Sequence, residues 1–353
     1  VNVLQILDER WDSAITEYGL SLASVLKSRG HSVFVAARRG SHAAVECGRR
    51  DLPLVPADGW LALRRAVRRD SIQVVNSHTG SGHLLGWWAT AGRDVALVRT
   101  RGDARPLHGS PGRRFLYRRT DAVVSVSRCI AVEYQSAFPE AADRQWTVYP
   151  GFPAAAWEPE PAGPVRVALV GRLDPVKGQS DFIEAVAALK PRLSDQRFVV
   201  SGEAKNTSVD ELRRLAERRG VSRWVEFQGR QSDVLAFMRS CHAGVVASVG
   251  SEALSRVCLE WMSQGRPVAA TAVGCLPELV STGDNGFLVP PRSPRALANA
   301  LQALIEQEEF RRRLGRRAHE TAASRFSLER LGADTEKVYQ EALRRRLQRG
   351  GAR

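Results

Sequence analysis

The stretch VALVGRLDPVKGQSDFIEAVAAL, residues 167–189, changes periodicity midway. Arg166–Val170 is a short apolar run of strand length, Gly171 permits a tight exit from it, and apolar residues then recur at helical spacing over Asp181–Leu189. The same alternation continues on either side. Beyond it the pattern predicts strands at Arg197–Ser201, Trp224–Phe227, Ala243–Ser248, Pro267–Thr271 and Phe287–Val289, with helices at Val209–Arg219, Asp233–Ser240 and Ser255–Gln264 and a mostly helical tail from Pro294. Before it lie strands at Val1–Asp8, Ser32–Ala37, Gln73–Ser77, Val95–Thr100 and Ala122–Ser125. Helices separate them at Glu17–Arg29 (ended by Gly30), His83–Ala91, Arg113–Arg119 and Arg128–Ser136. Residues 150–164, PGFPAAAWEPEPAGP, have the composition of a linker. Strands alternating with helices imply parallel sheets covered on both faces, so the chain reads as two doubly wound α/β domains joined by a hinge. Such sheets bind ligands outside their strand C-termini, and a cleft between two of them suits two substrates.

The chain has 353 residues, of which 43% are hydrophobic and 25% charged. That is enough to bury a core in each of two domains and excludes global disorder. No apolar run approaches the roughly 20 residues of a spanning helix. Asp8, Glu9 and Asp12, with no small-residue cleavage site after an apolar run, read as a start without a signal peptide. The net charge is +14, carried by 47 arginines and only five lysines, a skew that a GC-rich genome also produces. Its location says more: residues 99–119 hold seven Arg against Asp103, and residues 310–353 hold thirteen basic and five acidic residues. These segments point to an anionic surface or ligand (membrane phospholipid, phosphorylated glycolipid or nucleic acid) or, more plainly, to a solvated basic face and a frayed tail. No nucleic-acid-binding module is present. Cys47, Cys129, Cys241, Cys258 and Cys275 form no CxxC, which argues against a structural zinc or a disulfide framework and for a reduced, cytosolic chain.

Three strand-end loops carry chemistry. In Gly171–Gly178, Arg172 offers a planar fork of donors and Lys177 a flexible point charge, a pair suited to a diphosphate. In the second, Ser251–Glu260, Ser255 is placed as an N-cap with Gly265 and Pro267 beyond the helix end, so Glu252 falls in the loop and Glu260 inside the helix. The free N–H groups at that helix start favour an anion, and a carboxylate beside an anion site is usually aimed at hydroxyls. Two further readings stay open on spacing alone: paired carboxylates flanking a glycosidic bond for hydrolysis, or Glu252 as a helix cap with Glu260 solvated. The third loop is Gly274–Glu278, at the same end of the sheet. In the first half, Gly80-Ser81-Gly82-His83-Leu84-Leu85-Gly86 departs from a dinucleotide fingerprint by one residue and reads better as a close helix–strand contact or an acceptor loop.

Taken together these residues resemble the retaining, nucleotide-sugar-dependent glycosyltransferases of family 4, which have the two-domain GT-B fold. The resemblance runs in order through residues 167–189, VEFQGRQSDV (225–234), SEALSRVCLEWMSQGRPVAATAVGCLPELV (251–280), NGFLVPPRSPRALANAL (285–301) and RFS (325–327). It is looser through SLASVLKSRGHSV (21–33), VVNSHTGSGHLL (74–85), VRTR (98–101) and LYRRTDAVVSVS (116–127), and is similar to lipopolysaccharide-core and other cell-envelope members. It implies two Rossmann-like domains facing a central cleft. Residues 1–155, with a final helix at about 328–353 packing back on them, would take the acceptor, and residues 156–327 would bind the donor.

The resemblance also implies roles. Arg172, Lys177 and Glu252 would be catalytic, the two cations stabilising the departing diphosphate and Glu252 bonding the donor sugar. Gly171, Arg230, Leu254, Ser255 and Glu260 would bind the donor, with the backbone N–H groups of Leu254 and Ser255 on phosphate, Glu260 on the ribose and the Gln228–Gln231 turn near the base. No cofactor, divalent metal or protein nucleophile is expected. The acceptor would be a cell-envelope glycan or a lipid-linked sugar, and the enzyme cytoplasmic, with peripheral contact to the anionic inner face of the membrane.

Three departures stand out. Ala253 replaces the usual glycine after Glu252. Asp12–Thr16 replaces a glycine-rich loop, leaving Ser13 and Thr16 for phosphate. Gly102 stands where relatives have a histidine near the reacting sugar, with His78 or Asp103 to fill the space and Arg101 beside them. His31 reads as structural. A donor-binding protein without turnover, or an epimerase or phosphorylase on the same fold, are the rival readings.

Overall fold

A computed structural model describes residues 1–10, 13–103, 107–153, 155–250 and 252–350. Asp12, Ser251 and residues 351–353, which belong to segments singled out above, lie outside the described residues. The chain forms two compact units, Val1–Gly151 with Ser327–Arg353, and Phe152–Phe326.

The first unit is built on β1 (Asn2–Leu7), β2 (Ser32–Ala37), β3 (Leu54–Pro56), β4 (Val74–Ser77), β5 (Ala96–Arg101), β6 (Ala122–Ser125) and β7 (Gln145–Thr147). They are parallel, in the order β3-β2-β1-β4-β5-β6-β7, so the winding reverses between β1 and β4. The helix Ala14–Ser28 starts at Ser13, whose Oγ accepts the Thr16 N–H at 3.1 Å. It buries Leu20, Leu22, Ala23 and Leu26 against the sheet. The helices His42–Arg49 and Trp60–Arg69, with β3 between them, fill residues 38–72, where the sequence pattern assigned nothing. Both are short, the second carries four arginines in ten residues, and their apolar stripes are narrow: Ala43 and Cys47 in one, Leu63, Ala66 and Val67 in the other. Two glycines of the Gly80–Gly86 segment, Gly82 and Gly86, serve close helix–strand packing, whereas Gly80 has open space around it. A Cβ at Gly82 would lie 3.0 Å from Ile6, and one at Gly86 would lie 3.2 Å from Leu97.

The final helix, Leu328–Gly350, belongs to this unit. Its Tyr339 hydroxyl is buried and accepts from Gln5 Nε2 (2.9 Å) and Asn76 Nδ2 (3.0 Å). Glu336 takes both Nε and Nη2 of Arg29 at 2.8 Å and His31 Nε2 at 2.9 Å, which gives His31 its structural place.

The second unit contains β8 (Arg166–Val170), β9 (Arg197–Ser201), β10 (Val225–Gln228), β11 (Ala243–Val246), β12 (Val268–Thr271) and β13 (Gly286–Val289), parallel in the order β10-β9-β8-β11-β12-β13. Here the reversal falls between β8 and β11, with Ala243 opposite Val167 and Val245 opposite Leu169. Phe182, Phe198, Val167, Leu169 and Leu301 centre its core. The Pro-rich segment 150–164 is not a free hinge over its length. Glu160 pairs with buried Arg311 (2.7 and 2.8 Å), and Arg266 donates to the carbonyls of Glu158 and Pro159 at 3.1 Å each. A buried guanidinium requires such acceptors, and they hold this stretch to the second unit. Among the described residues no helix is long and apolar enough to cross a membrane.

The Arg29 guanidinium, with His31, pulls the Glu336 carboxyl down from 4.5 to about 2. A depressed carboxylate stabilises the fold above its unfolded pKa and loses that contribution as pH falls toward its native one. Glu336→Gln should lower stability in urea by about 1–2 kcal/mol near neutral pH. The difference should close between about pH 4.5 and 2. A difference that does not change over this range would show that the charge of Glu336 is not what holds the final helix.

Candidate active site

In the second unit the loops leaving β8 and β11 meet where the sheet order reverses, the place at which a parallel sheet leaves backbone and side chains open to a ligand. After β8 the chain makes a single turn of 3₁₀ helix, Pro175–Lys177. Asp174 caps it, accepting from Val176 N (3.0 Å) and Asn206 Nδ2 (2.9 Å); these bonds, the Val176 one foremost, hold its carboxyl below the usual carboxylate range. Gly178 follows at φ +71°, and a Cβ there would lie 1.9 Å from the Ala247 carbonyl oxygen. Only glycine permits that approach. It lets Val249 N–H reach the Val176 carbonyl at 2.9 Å and so docks the two loops together.

This docking sets Lys177 Nζ on Glu252 Oε1, to which Ser248 Oγ also donates at 2.6 Å. Glu252 is 3% exposed. A carboxylate so buried needs a cation and further donors, and Lys177 and Ser248 supply them. The third loop supports the second. Gly274, at φ +54°, would bring a Cβ within 2.0 Å of the Glu252 carbonyl oxygen, and Cys275 N–H donates to that oxygen at 2.7 Å. Cys275 lies in the third loop that the sequence singles out, but its contact is made by a backbone N–H; Ser248 carries no sequence signal, since nothing local distinguishes a serine ending a strand.

The remaining residues expected in this unit are placed as follows. Arg172 is half-exposed, its Nε 3.4 Å from Asp174 Oδ2. Arg230 is exposed on the loop after β10, and Gln231 there donates to Ser201 Oγ and Gln228 Oε1, both at 3.1 Å. Glu260 lies within the helix Arg256–Ser263 and is buried, not solvated, with Arg256 Nε 2.7 Å from its Oε1. Ser255 occupies the N-cap position, but its hydroxyl makes no cap bond and its N–H donates to Cys275 Sγ at 3.3 Å. That N–H is therefore engaged within the protein. Ala253 is not among the residues of positive φ, so alanine is accommodated where relatives have glycine.

In the first unit, at the β1/β4 reversal, the outcome differs from expectation. Ser13 and Thr16 donate their hydroxyls to the Glu9 carboxylate, Thr16 at 3.0 Å. Thr79 and Ser81 donate to Asp8, Ser81 at 2.5 Å. The loop thus presents carboxylates among hydroxyls. His78 is buried, with Nε2 2.8 Å from Gln5 Oε1, and burial together with Arg99 lowers it to about 3, so it is a neutral member of the interior. Arg101 is buried beside Asp103 (3.6 Å) and Glu133 (3.5 Å). Neither His78 nor Asp103 takes the space at Gly102. Ile15 does, its Cδ1 lying 2.5 Å from where a Cβ would be.

Two family profiles match in succession: "Glycosyltransferase Family 4" over residues 16–155 and "Glycosyl transferases group 1" over residues 156–321. A D-inositol 3-phosphate glycosyltransferase of Corynebacterium glutamicum is 37% identical over 183 residues, which is 50% of this chain and 43% of that protein. The chain thus spans less than half the length of this relative. Two solved structures share the fold. A glycosyltransferase from Rickettsia africae has TM-score 0.85, 17% identity and coverage of 97% of this chain and 98% of its own. Anabaena HepE, solved in complex with UDP, has TM-score 0.83, 22% identity and coverage of 96% and 100%.

Lys177→Met should destabilise the second unit by about 3–5 kcal/mol, because it strands a buried carboxylate. Glu252→Gln in the same chain should recover a large part of that loss. Urea unfolding of the two single variants and the double variant measures the coupling, and purely additive losses would show that the pair is not a compensated buried contact.

Proposed function

The chain belongs to the glycosyltransferases, a family 4 segment followed by a group 1 segment, and on that premise we propose that it moves a sugar from a nucleotide-sugar donor to an acceptor hydroxyl with retention at the anomeric carbon. The observation that carries this reading is the Lys177–Glu252 pair at the sheet reversal. Without ligand the two neutralise one another. A nucleotide sugar offers each a better partner at once, phosphate oxygens for the ammonium and sugar hydroxyls for the carboxylate. The ligand chemistry that replaces both halves of this ion pair is therefore an anion joined to a polyol.

On this reading the bond between the anomeric carbon and the diphosphate oxygen breaks, and its electron pair leaves with the nucleoside diphosphate. Lys177 and Arg172 stabilise that growing charge, which is electrostatic catalysis by groups already in place. The acceptor oxygen bonds the anomeric carbon from the same face, and its proton passes to the departing diphosphate. Glu260 takes the ribose hydroxyls, and the first unit takes the acceptor, a cell-envelope glycan or lipid-linked sugar. A second reading, donor binding without turnover, is favoured by one observation: Ile15 fills the space at Gly102.

Arg172 is half-exposed, so removing it should reduce transfer with little effect on folding. Arg172→Ala should lower kcat by roughly 10²–10³, measured as nucleoside diphosphate release from the nucleotide sugar that most raises the melting temperature. A ligand bound only by the folded state gives such a rise. Near-normal turnover would remove Arg172 from the mechanism, and a melting shift without turnover across many acceptors would favour the second reading. Glu252→Gln should weaken the nucleotide sugar more than the free nucleotide; equal losses would contradict its contact with the sugar.

A further inference from the structure

The reading above leaves the opposite end of the second sheet unused. Lys177 and Glu252 follow β8 and β11, beyond the C-terminal ends of the strands, whereas Pro159 and Glu160 precede β8 and Gly265–Pro267 precede β12. At that far end opens a cavity of about 540 Å³, walled by these residues, by Trp157 and by the first half of the helix Glu308–Arg325. Its charged groups are five arginines against Glu160 and Glu309.

Two of the five are compensated. Glu160 accepts from Arg311 (2.7 and 2.8 Å) and from Arg312 (3.0 Å), and Arg312 also pairs with Glu308. The other three have no carboxylate within ion-pair distance among the described residues. Arg266 is 2% exposed; its Nη groups donate only to backbone carbonyls, and its Nε N–H has no partner among the described residues. Glu160 and Glu158 act on it only from beyond hydrogen-bond distance. Arg313 and Arg316 are exposed and lie over rings, Arg313 over Phe310 and Arg316 over Trp157, each 5.0 Å from the centroid. Burying a guanidinium without an anion is costly. Like charges three and four residues apart on a helix, as Arg313 and Arg312 are from Arg316, repel. The free protein carries both costs, and an anion in the cavity relieves them together.

The indole narrows the choice of anion. Trp157 is 42% exposed and packs on Gly265, where a Cβ would lie 3.2 Å from its Cδ1. A bare anion would leave this ring in water, and an uncharged ring would leave the arginines without a counter-charge. A nucleotide answers both, since any base stacks on an aromatic face and phosphates take guanidinium donors. The volume is that of a small-ligand pocket. We propose that this cavity binds a nucleotide, with its phosphates between Arg313 and Arg316 beside the charge of Arg266. Arg316 leaves the indole for a phosphate, and the base takes its place over Trp157. The proposal does not depend on the transfer reaction.

The test is equilibrium dialysis of the chain with ADP and with inorganic pyrophosphate. ADP should fill a site that Arg313→Glu with Arg316→Glu weakens by more than tenfold, since a hydrogen bond to a charged group is worth roughly tenfold. Arg172→Ala, at the other end of the sheet, should leave that site intact. Affinity should fall as salt rises above about 0.1 M. Trp157→Ser should weaken ADP by about tenfold and pyrophosphate little, and Trp157→Phe should restore most of the ADP affinity. A merely structural role for Trp157 would lower both ligands alike. No ADP site that responds to the arginine pair, or equal losses of ADP and pyrophosphate in Trp157→Ser, would overturn the proposal. ADP bound only at a site that Arg172→Ala removes would place the nucleotide at the β8/β11 reversal alone and overturn it too.

Discussion

A carboxylate buried at the reversal of a parallel sheet has to be neutralised, and in the second unit the geometry of three loops follows from that need. Glu252 is held by its own carbonyl to Cys275 and by its side chain to Lys177 and Ser248. The close approaches at Gly178 and Gly274 are what allow the loops after β8 and β12 to reach it. Either glycine replaced by a larger residue would separate a loop from the carboxylate. The site is thus assembled by backbone contacts between loops distant in sequence, and its charged groups are satisfied before any ligand arrives. On the proposed reading a ligand replaces this ion pair, and the loops that hold Lys177 and Glu252 then present both groups to it, which is the fixed placement that electrostatic catalysis requires.

The first unit treats its equivalent position differently. At the β1/β4 reversal Asp8 and Glu9 accept hydrogen bonds from the hydroxyls of Thr79 and Ser81 and of Ser13 and Thr16, respectively. Behind them Gln5, Asn76, His78 and Tyr339 form a buried neutral network, which the final helix completes by contributing Tyr339. The two units therefore share a winding but present opposite chemistry at the same topological place. That contrast is compatible with the proposal that the second unit takes the donor and the first the acceptor.

Much of this was legible in the sequence where one local signal sufficed. The strand–turn–helix of residues 167–189, the positions along the chain of the unit 2 strands and the loop positions of Arg172, Lys177 and Glu252 all follow from periodicity and glycine placement. What was not legible depends on distant partners or on weak local patterns. Lys177 and Glu252 are 75 residues apart, and no spacing announces their contact. Ser255 looks like a cap, yet Cys275 takes its N–H. Gly102 looks like a lost catalytic position, yet Ile15, far away in the chain, occupies its space. The helix Trp60–Arg69 gives only a weak sequence signal because four arginines in ten residues hide three buried apolar ones, and the contact of its tryptophan with Trp88 joins residues distant in the chain.

The most direct test of the account is a crystal structure of the chain with a bound nucleoside diphosphate. The account predicts that the terminal phosphates lie within hydrogen-bond distance of Lys177 Nζ, with the Lys177–Glu252 contact lengthened or broken and Glu252 turned toward the space beyond the last phosphate. A nucleotide bound elsewhere, with Lys177 still seated on Glu252, would contradict it.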